Sequence, residues 1–387
     1  MAVLRDPAGL ADGALTVSDM AMFILSLFDG RHRLSDVQKE FARLFGKAVR
    51  LEQLEDLVRQ LEESHFLEGP AFDAHVAALV RAYREAPTRQ TQVDTGLGVE
   101  LHQLPIALGA IIEDAEAGVP EGRLVGLIAP HLDLRRGWSC YADAYGLLSR
   151  ANHAERFVVL GTNHAGSAPV VVATGKDFET PLGTAVTDRD FIQRLSRRCG
   201  TDLCEFEFDH KREHSVEMQV FFLQYAFYRR PFRIVPVLCP DPCAPTDGDG
   251  DAGRLIRSFG EAVADEIRAD GVSTCVIAGA DLSHVGRRFG DDRDLDEAFL
   301  KQVEEADRRI LRHVQTIDPE AFRQAVADDQ NPTRVCSAGN IYAMMTVLTR
   351  MYERPRLQAH LLRYHQAVDA EMHTGVTCAA VAFTLKT

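Results

Sequence analysis

From about residue 120 onward, short apolar runs alternate with longer stretches of helical spacing. Runs such as LVGLIAP (124–130), RFVVLGTN (156–163) and TCVIAGA (274–280) are apolar throughout, which is typical of strands buried on both faces. Between them, SCYADAYGLLSR and SVEMQVFFLQYAF have the spacing of helices. This alternation predicts an α/β fold in which a sheet is flanked by helices. Further strands are expected in VVVAT (170–174), FRIVPVLCP (232–240) and GVTCAAVAFT near the C-terminus.

A separate small domain is predicted for residues 1–86, with the α/β domain in 87–387. Three short amphipathic segments follow one another between residues 16 and 70, and the first stops at the turn signal Asp29-Gly30. Ser35, with Gln38 three residues on, fits a capping box at the start of the second helix. Three helices and a brief extended tail resemble a winged-helix unit, more narrowly a PqqD-like module. A simple packing domain is the alternative.

Net charge and composition indicate which partners and which cellular location to expect. The net charge of −14 disfavours broad binding to nucleic acid or to anionic membranes, which both reward a basic face. No apolar run approaches the length that spans a bilayer, and the N-terminus lacks the pattern of a signal peptide. The eight cysteines are scattered, which favours reduced thiols. We therefore expect a cytoplasmic location.

Ionisable side chains follow three of the predicted strands. His131 comes directly after LVGLIAP, His164 after RFVVLGTN, and Asp281 and His284 after TCVIAGA. In open α/β sheets the functional cleft lies beyond the carboxyl ends of the strands, so these residues are expected at one edge. A single histidine in such a place is usually an ordinary polar residue. Several together suggest a metal site or a proton shuttle.

Two further clusters precede apolar helices. His214 and Glu217 share a face at the start of the helix SVEMQVFFLQYAF, where backbone N–H groups favour negative charge. Glu213 is explained as an acid that complements the helix dipole, but His214 is not. Cys336 lies just before the helix IYAMMTVLTR, a position that lowers a thiol's pKa, although most cysteines are small core residues.

Six motifs follow one another along the larger part of the chain. They are APHLDLRRG (129–137), LGTNHAG (160–166), ETPLGTAVTD (179–188), EHSVEMQVFFLQY (213–225), GADLSHVGRRFG (279–290) and VCSAGNIYAM (335–344). In this order they resemble the motifs of the Memo family, also called AmmeMemoRadiSam system protein B. The resemblance covers roughly residues 120–385, and the family is similar in fold to class III extradiol dioxygenases.

The resemblance implies that His131, His164 and Cys336 occupy the metal-ligand positions. It also implies that His284, Asp281 and His214 line the same pocket, with His284 as acid–base group. Fe(II) is the first expectation for the metal. Cu or Zn are alternatives, because a thiolate replaces the carboxylate of the dioxygenases and makes the ligand set softer.

The chain also departs from the family pattern. Ala165 replaces the second histidine of a common S-H-H element, and APHLDLRRG lacks the aromatic residue and the glycine of A-P-H-A-G-Y. The usual N-terminal family segment is hard to find in residues 89–120. None of these departures removes a proposed metal ligand.

Three functions are compatible with these residues. The first is a non-haem, metal-dependent redox enzyme of oxygenase-like type, acting on a small molecule or a peptide. The second is a metal-binding interaction protein without turnover. The third is hydrolysis, with Zn²⁺ activating a water molecule. PqqD-like modules bind peptides by adding a strand, so a peptide or protein partner is expected at the small domain. The family's association with radical-SAM proteins makes such a protein one candidate partner.

Overall fold

The chain forms two compact units, Met1–Ala86 and Pro87–Thr387. The computed structural model describes residues 1–6, 8–92, 100–164, 166, 169–228, 230–243 and 251–386. Ala165, at which the sequence departs from the Memo pattern, lies outside these ranges.

The first unit is mainly helical and begins with a two-stranded antiparallel sheet. Its apolar centre joins the helices through buried Ile24, Val37, Phe41 and Leu54. The elements are β1 (Ala2–Arg5), β2 (Ala14–Val17), α1 (Asp19–Ser26), α2 (Leu34–Phe45), α3 (Leu51–Glu63) and α4 (Pro70–Glu85).

Three details of the predicted small domain are wrong. Helix α2 starts at Leu34 and is capped at Arg33, whose N–H donates to Asp36, so Ser35 and Gln38 do not form its capping box. Helix α3 ends at Glu63 and not near Gly69. The expected extended tail is instead the helix α4, which has proline in its first turn, a position where a missing N–H costs nothing.

The second unit is built on an eight-stranded mixed sheet. Four parallel strands form its centre, in the order β4, β10, β5, β9. Antiparallel strands β6 and β13 flank this centre, and β13 also pairs with β11 and β12. The strands are β4 (Arg123–Ala129), β5 (Arg156–Thr162), β6 (Val172–Ala173), β9 (Arg233–Cys239), β10 (Thr274–Gly279), β11 (Asp281–Val285), β12 (Leu357–Asp369) and β13 (Thr374–Leu385).

Helices cover both faces of this sheet. A small three-stranded sheet lies apart from it, formed by β3 (Thr88–Arg89), β7 (Asp177–Thr180) and β8 (Gly183–Ala185). The helices are α5 (Leu104–Glu113), α6 (Leu134–Ala151), α7 (Arg189–Cys199), α8 (Ser215–Ala226), α9 (Ala252–Asp270), α10 (Glu297–Gln315), α11 (Pro319–Ala327) and α12 (Ala338–Met351).

Strand β5 shows why the apolar runs are continuous. Val158 and Leu160 pack into one apolar core with α9 and α12, whereas Phe157 and Val159 pack into the other with α6 and α8. Because successive side chains of a strand point to opposite faces, a strand between two helical layers needs apolar residues at every position. The predicted α/β fold with helices on both faces is confirmed.

The structure differs from the prediction at the sheet margin. The segment ADLSHVG was expected to be a loop after a strand, but Asp281–Val285 forms β11, antiparallel to β13. Strand β12 was not predicted, because its burial is intermediate along most of its length and its sequence mixes polar with apolar residues. Within the described part of the chain, no helix is long and apolar enough to cross a membrane.

Candidate metal centre

Three adjacent parallel strands bring the predicted residues to one edge of the sheet. Strand β10 lies between β4 and β5. His131 follows the end of β4 by two residues, His164 follows the end of β5 by two, and Asp281 follows the end of β10 by two. Parallel strands end at a common edge, so the register of the sheet gathers these side chains.

His131 is a buried imidazole held by the backbone. Its side chain is 3% exposed, and its Nδ1 lies 2.9 Å from the carbonyl oxygen of Gly279. A carbonyl only accepts, so Nδ1 carries a proton, and once the ring is neutral its lone pair is on Nε2, the form that binds a metal. Burial opposes a charged imidazole, but Asp281 and Cys336 outweigh it and raise the pKa of His131 to about 9.

Asp281 fixes the turn that carries His131. Its Oδ1 accepts from the N–H groups of His131, at 3.0 Å, and of Leu132, at 3.2 Å. Its Oδ2 is 3.5 Å from Nε2 of His131. The carboxylate thus holds both the backbone and the ring of this histidine.

His164 is held by a carboxylate and is more exposed. Its Nδ1 and its backbone N–H both donate to Oε2 of Glu213, at 2.9 Å and 3.2 Å. Burial opposes ionisation of Glu213, yet its hydrogen bond with His164 holds the pKa of this carboxyl well below its usual range. Burial also opposes a charged imidazole at His164, but hydrogen bonds to Cys336 and Glu213 raise its pKa to about 10.

Cys336 completes the group from the segment that precedes α12. It lies two residues before α12, where the helix dipole favours a thiolate. Its Sγ is 3.6 Å from Nε2 of His131 and 3.2 Å from the hydroxyl of Ser337. Burial opposes the thiolate, but His131 and His164 outweigh it and lower the pKa of Cys336 to about 6.

The ligand atoms of His131, His164 and Cys336 all lie within 4.8 Å of one another. A tetrahedral ion with typical bonds to nitrogen and sulfur would hold such atoms about 3.5 Å apart. The 3.6 Å between Nε2 of His131 and Sγ of Cys336 matches that separation. Both imidazoles use Nδ1 for a hydrogen bond, and the thiol is biased toward thiolate. The three residues therefore fit a metal ion.

His214 lies beside the group, at the N-terminus of α8. Its ring is stacked on that of His164, with centroids 5.3 Å apart and planes 15° apart. Burial and the charge on His131 lower the pKa of His214 to about 4, so this imidazole is neutral near pH 7.

The spacing of His214 and Glu217 suggested that both side chains face the same site, but Glu217 does not face the metal-ligand group. It is fully buried and forms an ion pair with Arg89, which is equally buried. Arg89 also donates to the carbonyl oxygens of His210 and Glu213. Glu217 is thus part of the support beneath α8. Glu213, expected to complement the helix dipole, does accept from Ser215 N–H but also orients His164.

His284 lies on β11 and lines the same cavity as His131, His164 and His214. Its Nδ1 is 3.1 Å from the carbonyl oxygen of Leu282, and its ring meets Phe289 edge to face at 5.2 Å. It does not belong to the group of three ligand atoms. The structure therefore places His284 in the cavity wall.

Two supporting residues escaped the sequence analysis. The hydroxyl of Ser337 accepts from Asp281 N–H, at 3.1 Å, and contacts both Cys336 and Thr162. The side chain of Asn340 donates to the carbonyl of Gly279, at 2.7 Å. Both residues belong to the motif VCSAGNIYAM, in which Ser337 precedes α12 and Asn340 lies in its mostly apolar first turns. Polar residues next to an apolar helical run are the sequence feature that could have pointed to Ser337 and Asn340.

Two glycines allow α8 to approach the strand ends closely. A Cβ on Gly279 would lie 2.6 Å from the carbonyl oxygen of Ser215, and one on Gly161 would collide with the hydroxyl of Ser215. Real side chains do not tolerate such contacts. The absence of side chains at these two positions is what lets α8 carry Glu213 and His214 up to His164.

Another group of potential ligands occurs in the first unit, at Asp12, His65 and His75. The two imidazoles are stacked, with centroids 3.7 Å apart and planes 12° apart. Lone pairs of stacked parallel rings do not converge on one ion, so we assign no metal site there.

Fold and site together define an α/β protein with two histidines and one cysteine gathered at the carboxyl edge of a mixed sheet. A family model described as Memo-like protein matches residues 102–383, which is most of the chain. The chain belongs to this Memo-like family, as its motifs predicted. The match begins at residue 102, within the segment where the family pattern was hard to find.

Relatives match most of the length of the chain. A MEMO1 family protein of Aquifex aeolicus is 24% identical over 386 residues, covering 98% of this chain and 95% of its own. That alignment includes the small unit as well. A MEMO1 family protein of Thermus thermophilus is 27% identical and covers 85% of this chain and 93% of its own. Among solved structures, an uncharacterized protein of Escherichia coli K12 is 14% identical, with a TM-score of 0.41, covering 67% of this chain and 99% of its own.

Proposed function

We propose that this protein is a metal-dependent redox enzyme of oxygenase-like type that binds its metal at His131, His164 and Cys336. The observation that carries the proposal is the convergence of these three ligand atoms beside a cavity of about 650 Å³. His131, His164 and Cys336 are called the triad below. Both of its imidazoles line that cavity. A ligand in the cavity would therefore approach the metal position from the imidazole side.

The metal proposed first is Fe(II), with Cu and Zn as alternatives. When bound, Fe(II) or Cu would supply one-electron redox chemistry and a coordination position open to O₂ or substrate. Two imidazoles and a thiolate form a soft set that favours Cu or Zn by affinity, so iron rests on the family resemblance. The metal's identity is therefore part of what must be tested.

The chain's own residues supply orientation and proton transfer. Gly279 and Glu213 hold the two imidazoles through Nδ1, which leaves each Nε2 free for a metal. His284 is proposed as the acid–base group, because it lines the cavity and uses only Nδ1 in its hydrogen bond to Leu282. His214, neutral near pH 7, would offer a hydrogen bond without adding charge.

The test is anaerobic loading with Fe(II), Cu(I) or Zn(II), followed by exposure to O₂. We expect a stoichiometric complex with Fe(II) or Cu(I) whose optical and electron paramagnetic resonance spectra change on oxygen exposure. Tight binding of Zn(II) alone would contradict a redox role and favour hydrolysis. A bound Fe(II) or Cu(I) that does not respond to oxygen, with or without small-molecule additives, would favour an interaction protein.

His284→Ala separates the acid–base group from the ligands. Only a proton-transfer group is removed, so metal content should stay at the wild-type level. The oxygen-dependent step should slow about a hundredfold or more, the usual scale of general acid–base catalysis. His360→Ala is the matched control, since His360 lies on β12 and bonds to Thr384. Loss of metal from His284→Ala would make this residue a ligand, and an unchanged rate would remove it from the mechanism.

A further inference from the structure

The cavity beside the triad has two arginines that form no ion pair with any acidic group in the described part of the chain. Arg212 and Arg288 line it, both are exposed, and neither side chain has an ion pair or hydrogen bond within the described ranges. A third lining arginine, Arg136, is different, because its Nε pairs with Asp133 at 2.5 Å. Arg212 and Arg288 are therefore available to a ligand.

The acidic residues of the cavity do not cancel this charge. Asp133 is engaged by Arg136, and Asp281 by His131 and the backbone of Leu132. The chain as a whole is strongly acidic, with a net charge of −14. The two unpaired arginines give the cavity a positive charge, in contrast to the negative net charge of the chain. A bound metal cation would add further positive charge. The cavity favours a ligand of negative charge.

Apolar side chains occupy another part of the wall. Leu132, Met218, Phe289 and Val376 line the cavity together with the arginines and imidazoles. A cavity of about 650 Å³ has the size of a small-molecule site and excludes a folded partner. Guanidinium groups hold carboxylate and phosphate oxygens through paired hydrogen bonds.

We propose that the substrate is a small organic anion whose carboxylate or phosphate is held by Arg212 and Arg288. Its carbon skeleton packs against Leu132, Phe289 and Val376, and its reactive part faces the imidazoles of the triad. This inference rests on the proposed function in placing the substrate beside the metal. The anion site itself consists of residues that are not metal ligands.

The experiment measures binding to the full chain by isothermal titration calorimetry at constant ionic strength. The probes are benzoate and phenyl phosphate, with benzamide as the neutral analogue. We expect both anions, or one of them, to bind and benzamide not to bind, and the stronger anion tells carboxylate from phosphate. Arg212→Ala and Arg288→Ala should each weaken anion binding about tenfold to a hundredfold.

The neighbouring cations provide matched controls. Neither Arg287 nor Lys211 is among the residues that line the cavity. Arg287 pairs with Asp294 on the surface, and Lys211 lies over the ring of Phe208. Arg287→Ala and Lys211→Ala should bind the anions like wild type. Arg288→Lys should recover part of the lost affinity, because it restores charge without the paired donors. Equal binding of benzamide, or equal losses in the control variants, would overturn the anion site.

Failure of this inference can be told from failure of the proposed function. Arg212→Ala and Arg288→Ala should keep wild-type metal content, because neither residue is a proposed ligand. Anion binding that depends on both arginines, together with a metal that ignores oxygen, would sustain the anion site and reject the redox role. A metal that responds to oxygen while anion binding ignores both arginines would reject the anion site alone.

Discussion

The two imidazoles of the triad are held by different means. His131 is 3% exposed and is bonded through Nδ1 to a backbone carbonyl, which is itself held by Asn340. His164 is 36% exposed and is bonded through Nδ1 to the carboxylate of Glu213. One half of the centre is thus fixed by the sheet, and the other depends on a side chain at the start of α8.

This difference has a chemical consequence. At His131 an uncharged carbonyl fixes the tautomer through Nδ1, and the charge of Asp281 acts on the ring from the other side, 3.5 Å from Nε2. At His164 the carboxylate of Glu213 bonds Nδ1 directly, so one side chain both fixes the tautomer and makes the ring more basic. We therefore expect changes around His164 to alter the properties of the bound metal more than changes around His131. The predictions below test that asymmetry, beginning with the largest expected effect.

Removing a ligand should abolish metal binding from either half. His131→Ala, His164→Ala and Cys336→Ala each remove one of the three proposed ligands, so metal per chain should fall to background in elemental analysis. His313→Ala, in α10, is the control and should retain the wild-type content. Retention of metal by all three variants would show that the centre is misassigned. Loss of metal in only one of the two histidine variants would show that the other histidine is not a ligand.

Weakening the support should separate the halves. Glu213→Gln leaves His164 in place but removes the charge behind its Nδ1, and we expect a loss of metal affinity of about ten- to a hundredfold. Glu116→Gln, at an exposed carboxylate paired with Arg363, is the control for a loss of charge elsewhere. Competition with a chelator measures both. An unchanged affinity in Glu213→Gln would mean that the two halves are equally fixed by the fold.

Metal binding should release protons from the imidazoles. At pH 7.5 Cys336, with a pKa of about 6, is already a thiolate, while His131 and His164, with pKa values of about 9 and 10, still carry protons. Binding should then release about two protons, and about three at pH 5.5, where the thiol is protonated as well. Calorimetry in buffers of different ionisation enthalpy counts them. Zero release at pH 7.5 would mean that the imidazoles are neutral before the metal arrives.

The smallest effect is expected from removing the first unit. A chain that begins at Pro87 keeps Arg89 and its ion pair with Glu217, as well as all residues of the centre. It should remain soluble and bind metal with wild-type stoichiometry in elemental analysis. Aggregation of the shortened chain, when the full chain is soluble, would show that residues 1–86 complete the core of the larger unit.

The sequence predicted most of what depends on local pattern. Continuous apolar runs located the central strands, and strand ends located His131, His164 and Asp281, because parallel strands share an edge. Strand β12 and helix α4 were missed, because polar and apolar residues are mixed along both segments. The partnerships of Glu213 with His164, and of Arg89 with Glu217, join residues 49 and 128 positions apart. No local pattern contains such pairings, because tertiary packing creates them.

The close approach at Gly161 and Gly279 bears on how such a protein could diverge. Any side chain at either position would push the start of α8 away from the strands, so these two positions admit almost no variation. Arg212 and Arg288, which line the cavity, are exposed and meet no such obstacle. A lineage that took up a new substrate would change such exposed cavity residues while the two glycines stayed the same. Swapping exposed cavity residues between relatives is therefore the natural way to test an exchange of substrates.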